Sequence, residues 1–282
     1  MDAEGPPQAV PPFTFPPQYE LPLGPSAGAP REVRFLLGED LALFEKGMNL
    51  EVRIVAASRA ARYRTHALAA LMGLWSRSFA YRADACSLAL RGAYASSIPL
   101  LRAACDCIGA QRGLASGGMD EFTAWLAAMA QSREHSALDI GLGRYRAGSV
   151  LAADDRLGAL YRALTELSMT HFGSTLLQVA PESDLQKISI TFADSSFHLG
   201  WAQLVAGWLL VLVQAQLETA LAAEDVFGAP PEAKDELAGL FSGIENALGK
   251  PDRCRMEELG EGRYLLHNFR RQPGAAPRRL LL

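Results

Sequence analysis

Residues 199–213 read LGWAQLVAGWLLVLV, an apolar run broken only at Gln203. A bilayer-spanning helix needs about twenty such residues. Gln203, Gln214, Gln216 and Glu218 bound the run too closely for a crossing, so the stretch predicts a soluble protein's central helix, buried on all sides. Ser195 or Ser196 would cap it, and it would run to about Glu224. With most of the chain helical in pattern, the expected fold is all-α, a mostly antiparallel bundle around this helix.

Downstream, Pro230-Pro231 opens an amphipathic helix with Leu237, Leu240, Phe241, Ile244 and Leu248 on one side, ended by Gly249 and Pro251. The tail from Arg270 is expected to fray. Upstream, Lys187 to Phe192 (KISITF) alternates like a strand, as an extended crossover or an edge ribbon in a dimer. Before it, LGALYRALTELSMTHFGSTLL (residues 157–177) places Leu157, Leu160, Tyr161, Leu164, Leu167, Ser168 and His171 on one helical stripe, with Gly173 as a breaker.

The first half of the chain is also helical in pattern. One helix is expected from Glu32 with Gly47 as its stop, and a second from about Leu50 to Ala80 on the stripe Leu68, Leu71, Met72, Trp75 and Phe79. A third spans Arg82 to Gly113 and is interrupted or kinked at Pro99; were it continuous, Arg91 and Arg102 would fall near one face. A fourth is capped by Asp120, and the segment GLGRYRAG (residues 141–148) lacks the glycine spacing of a phosphate loop. Residues 1–31 hold nine of the sixteen prolines and predict a disordered arm, or one lying across a partner subunit. The domain reading is a Pro-rich arm (1–31), a helical bundle (32–228) and a C-terminal helical extension with a frayed tail (229–282).

A net charge of −4 excludes a generally basic nucleic-acid binder. Yet Glu51 to Arg112 carries nine Arg against three acids, while Glu218 to Glu261 carries eleven acids against four bases. Internal pairing of the two layers, or a basic groove for a phosphate backbone, follows from that asymmetry. The four cysteines, with Cys105 and Cys107 about 200° apart on a helix, fit neither a zinc site nor a redox pair and read as small core residues of a cytoplasmic protein. H-E-x-x-H, G-x-S-x-G and Walker signatures are absent, so no metal or cofactor is expected.

Chemistry then rests on a cluster built from two helices. Arg102, among Leu101, Ala104, Cys105 and Ile108, needs a partner, because an unpaired buried guanidinium is very costly; Asp106 is the nearest acid. The succession RGAYASSIPLLRAACD (91–106), LYRALTELSMTHFG (160–173) and a long apolar closing helix resembles uncharacterised bacterial helical proteins related to the HEPN superfamily, over roughly residues 50 to 220. The resemblance implies an antiparallel helical bundle with a HEPN-like core, in which Leu100, Leu101, Arg102 and Asp106 form one motif and Leu167, Ser168 and His171 the other. HEPN ribonucleases set an Arg and a His four to six residues apart at one helix end, in a dimer cleft acting on RNA. Here the nearest upstream arginine, Arg162, is nine positions before His171 and about 180° around the helix. Two readings follow. In one, the protein is a non-catalytic interaction module, a homodimer whose Arg/Asp/His cluster fixes helix register. In the other, His171, Arg102 and Asp106 are catalytic, with Ser168 and Arg91 binding the ligand, in an RNA-cleaving or nucleotide-binding protein.

Overall fold

The apolar run folds as one uninterrupted helix, Leu199–Ala222, with nineteen of its 24 residues buried. This computed structural model describes residues 8–9, 18–21, 30–58, 63–64, 66–116, 148–170, 172–180 and 196–282. In chain order the elements are β1 (Gln8–Ala9), α1 (Pro30–Ala57), β2 (Tyr63–Arg64), α2 (His66–Leu90), α3 (Tyr94–Ser116), α4 (Gly148–Ala153), α5 (Asp155–Ser168), α6 (Phe172–Val179), α7 (Leu199–Ala222), α8 (Glu224–Phe227), α9 (Pro231–Leu248), β3 (Arg255–Gly260), β4 (Arg263–Phe269) and β5 (Arg278–Leu281). By length and composition α7 would qualify as a membrane span, but 83% of its apolar window is buried within the protein. Helices α1, α2, α3, α5, α8 and α9 and strands β3 and β4 pack around it.

The helix boundaries of the first half differ from those the sequence predicts. Gly47 does not stop α1; it lies inside the helix where α1 meets α7, and a Cβ there would stand 2.2 Å from Val213 Cγ1. The glycine serves close approach. The helix expected over Leu50 to Ala80 is two helices, because α1 ends at Ala57 and α2 begins at His66. The thirty-residue helix through Pro99 is also divided. Gly92 adopts φ +79°, Gly92 N donates to Ala89 O at 3.0 Å and Ala93 N to Leu88 O at 2.9 Å. This paired arrangement around a left-handed glycine ends a helix and satisfies its last carbonyls. Pro99 then falls in the second turn of α3, which continues to Ser116.

The fold is mostly helical but not all-α. After α9 the expected C-terminal helical extension and the tail expected to fray from Arg270 together form an antiparallel sheet in the order β3-β4-β5. Its first hairpin turns through Glu261 (φ 55°) and Gly262 (φ 72°), two positive-φ residues in a two-residue loop that matches the strands' right-handed twist. Tyr264, Leu266 and Phe269 are buried, and Leu266 and Phe269 join the hydrophobic cluster that contains α7 and α9. The sheet also closes the start of α7. Leu199 N and Gly200 N, which lack partners within the helix, donate to Arg271 O and Arg270 O, each at 2.8 Å. The helix expected after Asp120, GLGRYRAG, KISITF, His171 and the cap at Ser195 lie outside the described residues; the alternative cap, Ser196, precedes α7, whose N-cap residue is His198.

Gly47→Ala is predicted to cost about 1–3 kcal/mol by overpacking the α1–α7 contact. Urea unfolding of Gly47→Ala and of the Gly47→Ala/Val213→Ala pair tests this: the pair must recover part of the loss relative to the sum of the two single changes.

Candidate functional site

Arg102 on α3 and the inward stripe of α5 do meet. Arg102 Nε donates to Thr165 Oγ1 at 3.0 Å, and Nη2 to the Tyr161 hydroxyl oxygen at 3.2 Å. Its guanidinium also lies 5.4 Å from the Tyr161 ring centre. Asp106 lies close to the same pair, and both Arg102 and Tyr161 favour its charged form. All four residues are half-buried. Burial pushes the Asp106 carboxyl above the usual carboxylate range, against the opposing pull of Arg102 and of Tyr161.

The other sequence-predicted residues are placed differently. Ser168 donates to Leu164 O at 2.6 Å, within its own helix, rather than reaching forward along the chain. Arg91 is exposed at the end of α2 and bonds Ser87 O and Ser87 Oγ; with the chain turning at Gly92, it does not share a helix face with Arg102. Helix α5 ends at Ser168, capped by extended Met169, and Gly173 lies within α6 instead of breaking a helix. The end is braced by Gln178 Nε2 donating to Leu167 O (2.8 Å) and Ser174 Oγ to Met169 O (2.9 Å). His171 therefore follows a helix end in sequence instead of closing the α5 stripe, and its own position is outside the described residues.

Three stronger polar clusters were not singled out from the sequence. The first joins α1 to α2: Glu51 and Arg82, both with fully buried side chains, pair through Nη1–Oε1 at 2.5 Å and Nη2–Oε2 at 2.7 Å. Trp75 Nε1 donates to Glu51 Oε2 at 2.7 Å, and Arg82 Nε to Ser78 O at 3.1 Å. Such a two-pronged, saturated pair is the form in which a buried ion pair is tolerated. Its signal was present in the sequence, since Glu51 falls on the stripe Phe44, Met48, Val55 and Arg82 on the stripe Trp75, Ser78, Ala85: opposite charges on two otherwise inward faces.

The second cluster centres on Arg112 of α3. It pairs with Asp154, donates to Thr219 Oγ1 (2.7 Å) and Ala215 O (2.9 Å) on α7, and lies 3.7 Å from Glu218. Asp154 also caps α5 by accepting from Leu157 N at 2.6 Å. The third is Arg253, just before β3, which pairs with Asp40 of α1 at 2.8 Å and donates to Gln203 O (2.9 Å) and Ala247 O (3.3 Å). Gln203, the polar interruption of the apolar run, accepts from Cys254 N at 3.0 Å. Burial raises the Asp40 carboxyl, with Arg253 opposing it. The basic layer and acidic C-terminal region also meet directly in Arg53–Glu236 at 2.5 Å.

Chemically, Arg82 and Arg112 each use all three guanidinium nitrogens on groups of the protein. A cavity between α1, α2, α3 and α7, lined by Leu37, Leu41, Cys86 and Tyr94, measures about 20 Å³ and is apolar, the size of one water molecule rather than a nucleotide. Among the described residues no group of three or more His, Cys, Asp or Glu side chains is placed to hold a metal. The four cysteines are free and buried; burial pushes the Cys86 and Cys254 thiols up to about 12, away from reactivity at neutral pH. No protein-family model, curated protein or solved structure matches the chain.

Two predictions follow from this electrostatic arrangement. Glu51→Gln leaves the Arg82 guanidinium without a counter-charge and should lower stability by about 3–5 kcal/mol, whereas Glu51→Met/Arg82→Met recovers much of it; chemical denaturation reads both. Because the folded Asp106 carboxyl titrates above its unfolded value, its stabilising contribution is complete below the unfolded pKa and lost as pH rises through the raised one. The stability of wild type relative to Asp106→Asn should therefore fall between pH 3.5 and neutrality, a trend that urea midpoints at about four pH values would check.

Proposed function

We propose that the protein is a non-catalytic interaction module, and that its Arg102/Asp106 cluster holds α3 in register with α5. The observation that supports this is the contact between the two helices: Arg102 of α3 donates from Nε to Thr165 and from Nη2 to Tyr161, side chains one turn apart on α5, and its guanidinium lies beside the Tyr161 ring. Contacts from one residue to successive turns of a facing helix fix the register of the pair. The same pattern holds at Arg82, Arg112 and Arg253, whose partners are carboxylates and carbonyls of neighbouring elements.

The competing reading, HEPN-like RNA cleavage or nucleotide binding by Arg102 and His171, is separated by one set of variants. Arg102→Ala should lower the stability read by urea unfolding by about 1–3 kcal/mol, since Tyr161 and Thr165 lose a partner. His171→Ala should leave RNA integrity and nucleotide binding no different from wild type. RNA cleaved by the wild-type protein but not by a fully folded His171→Ala or Arg102→Ala protein would defeat the interaction-module reading.

A further inference from the structure

Among the described residues, the Pro-rich arm touches the bundle at two points, and both use the chemistry by which proteins hold an extended peptide. At the first, β1 pairs antiparallel with β2, Gln8 opposite Arg64 and Ala9 opposite Tyr63, so a short piece of arm adds a strand to the connection between α1 and α2. At the second, residues 18–21 (QYEL) lie on α1 and α2 with alternating exposure: Gln18 and Glu20 face out, Tyr19 is 9% exposed and Leu21 packs against the core. Period-two alternation is that of an extended chain read on one face.

The pocket for Tyr19 is made by residues distant in sequence. Phe44 of α1 and Phe79 of α2 meet its ring edge-on, with centroids 5.8 and 5.9 Å away. Cys86 lies at the phenol end. The main chain is read as well. Asn49 Oδ1 accepts from Tyr19 N at 3.0 Å, and Asn49 Nδ2 donates to Tyr19 O at 3.3 Å while also donating to Glu45 O at 3.0 Å. The amide is thus held by its own helix and presents one acceptor and one donor to the main chain of a single residue, as a neighbouring strand would.

We propose that this α1–α2 groove is a receptor site for extended peptides of the form aromatic-x-aliphatic, here Tyr-x-Leu, filled in this structure by the chain's own arm. The inference rests on the interaction-module reading and names its partner class. Nothing in the pocket demands a covalent connection. Strand addition, a backbone-reading amide and an aromatic socket act equally on a segment supplied from elsewhere. Only nine positions separate Leu21 from Pro30, at most about 30 Å of chain, so the tethered arm has an effective concentration of order millimolar and keeps out weaker competitors. A partner gains the groove by outcompeting the arm.

The test uses the full chain and a fluorescein-labelled peptide, PPQYELPL, corresponding to residues 16–23. The Tyr19→Ala/Leu21→Ala protein empties the socket and should bind the peptide at least about ten-fold more tightly than wild type, whose own arm competes. The peptide with Ala in place of Tyr should not bind, and adding Asn49→Ala to the emptied protein should weaken binding about ten-fold. A second variant guards against misfolding: twenty Gly/Ser residues inserted after Gly24 leave every packed residue unchanged but dilute the arm, and should tighten peptide binding about five-fold over wild type. Equal binding to all three proteins, or no saturable binding to an emptied protein of wild-type helicity, overturns the proposal. Either result leaves the RNA-cleavage comparison untouched, so a failed peptide site and a failed interaction-module reading are told apart.

Discussion

A helix with no polar face is stable in water only if every side of it is covered, and α7 imposes that constraint on the whole protein. Its surroundings are accordingly heterogeneous: α1 crosses it at Gly47, α3 flanks it, α9 lies over it, and the C-terminal sheet closes its first turn. Burying a side chain such as Leu210 or Val213 contributes roughly 1.5–3 kcal/mol, but burying α7 also brings backbone and polar groups out of water. The arginines resolve that problem. Arg112 takes Ala215 O and Thr219 near the end of α7, and Arg253 takes Gln203 O near its start. Each then needs an acid, Asp154 or Asp40, from a further element. Hydrophobic coverage and ionic pairing are therefore parts of one arrangement.

This arrangement gives part of the arginine-rich first half a role inside the protein. Of the nine arginines between Glu51 and Arg112, Arg53, Arg82, Arg102 and Arg112 are bonded to groups on other helices. Three of the four reach past their own neighbourhood to α5, α7 or α9, which ties distant parts of the chain together. Their role is long-range connection rather than surface potential.

The central helix was legible in the sequence because uniform apolarity over fifteen residues has few solutions, and the inward stripe of α5 was legible because Leu157, Leu160, Leu164 and Leu167 recur at helical spacing. Helix ends were less so. Gly47 and Gly173 carry the residue type of a stop but sit within helices; at Gly47 the glycine answers close approach, which only the three-dimensional neighbour reveals. Gly92, the true terminator, was hidden in a run of small residues. The C-terminal sheet escaped because its strands, RMEELG and RYLLHNF, do not alternate cleanly; the Gly-Glu-Gly turn between them was the available signal. Of the candidate site, the Arg102 contact with α5 was foreseeable from a lone arginine on an apolar face. Its partners, Tyr161 and Thr165, were not, because a neutral hydroxyl can also accept from a guanidinium while charge alone points first to an acid.

The claim on which the rest depends is that α7 is the covered centre of the fold, fastened by arginines near both of its ends. Native-state amide hydrogen exchange reads this residue by residue. The amides of 204–217 should exchange only through global unfolding, with an opening free energy equal to that from denaturant melts and the steepest dependence on denaturant in the chain. Exchange of those amides through a smaller, denaturant-independent opening, faster than that of α9 or β4, would contradict the account.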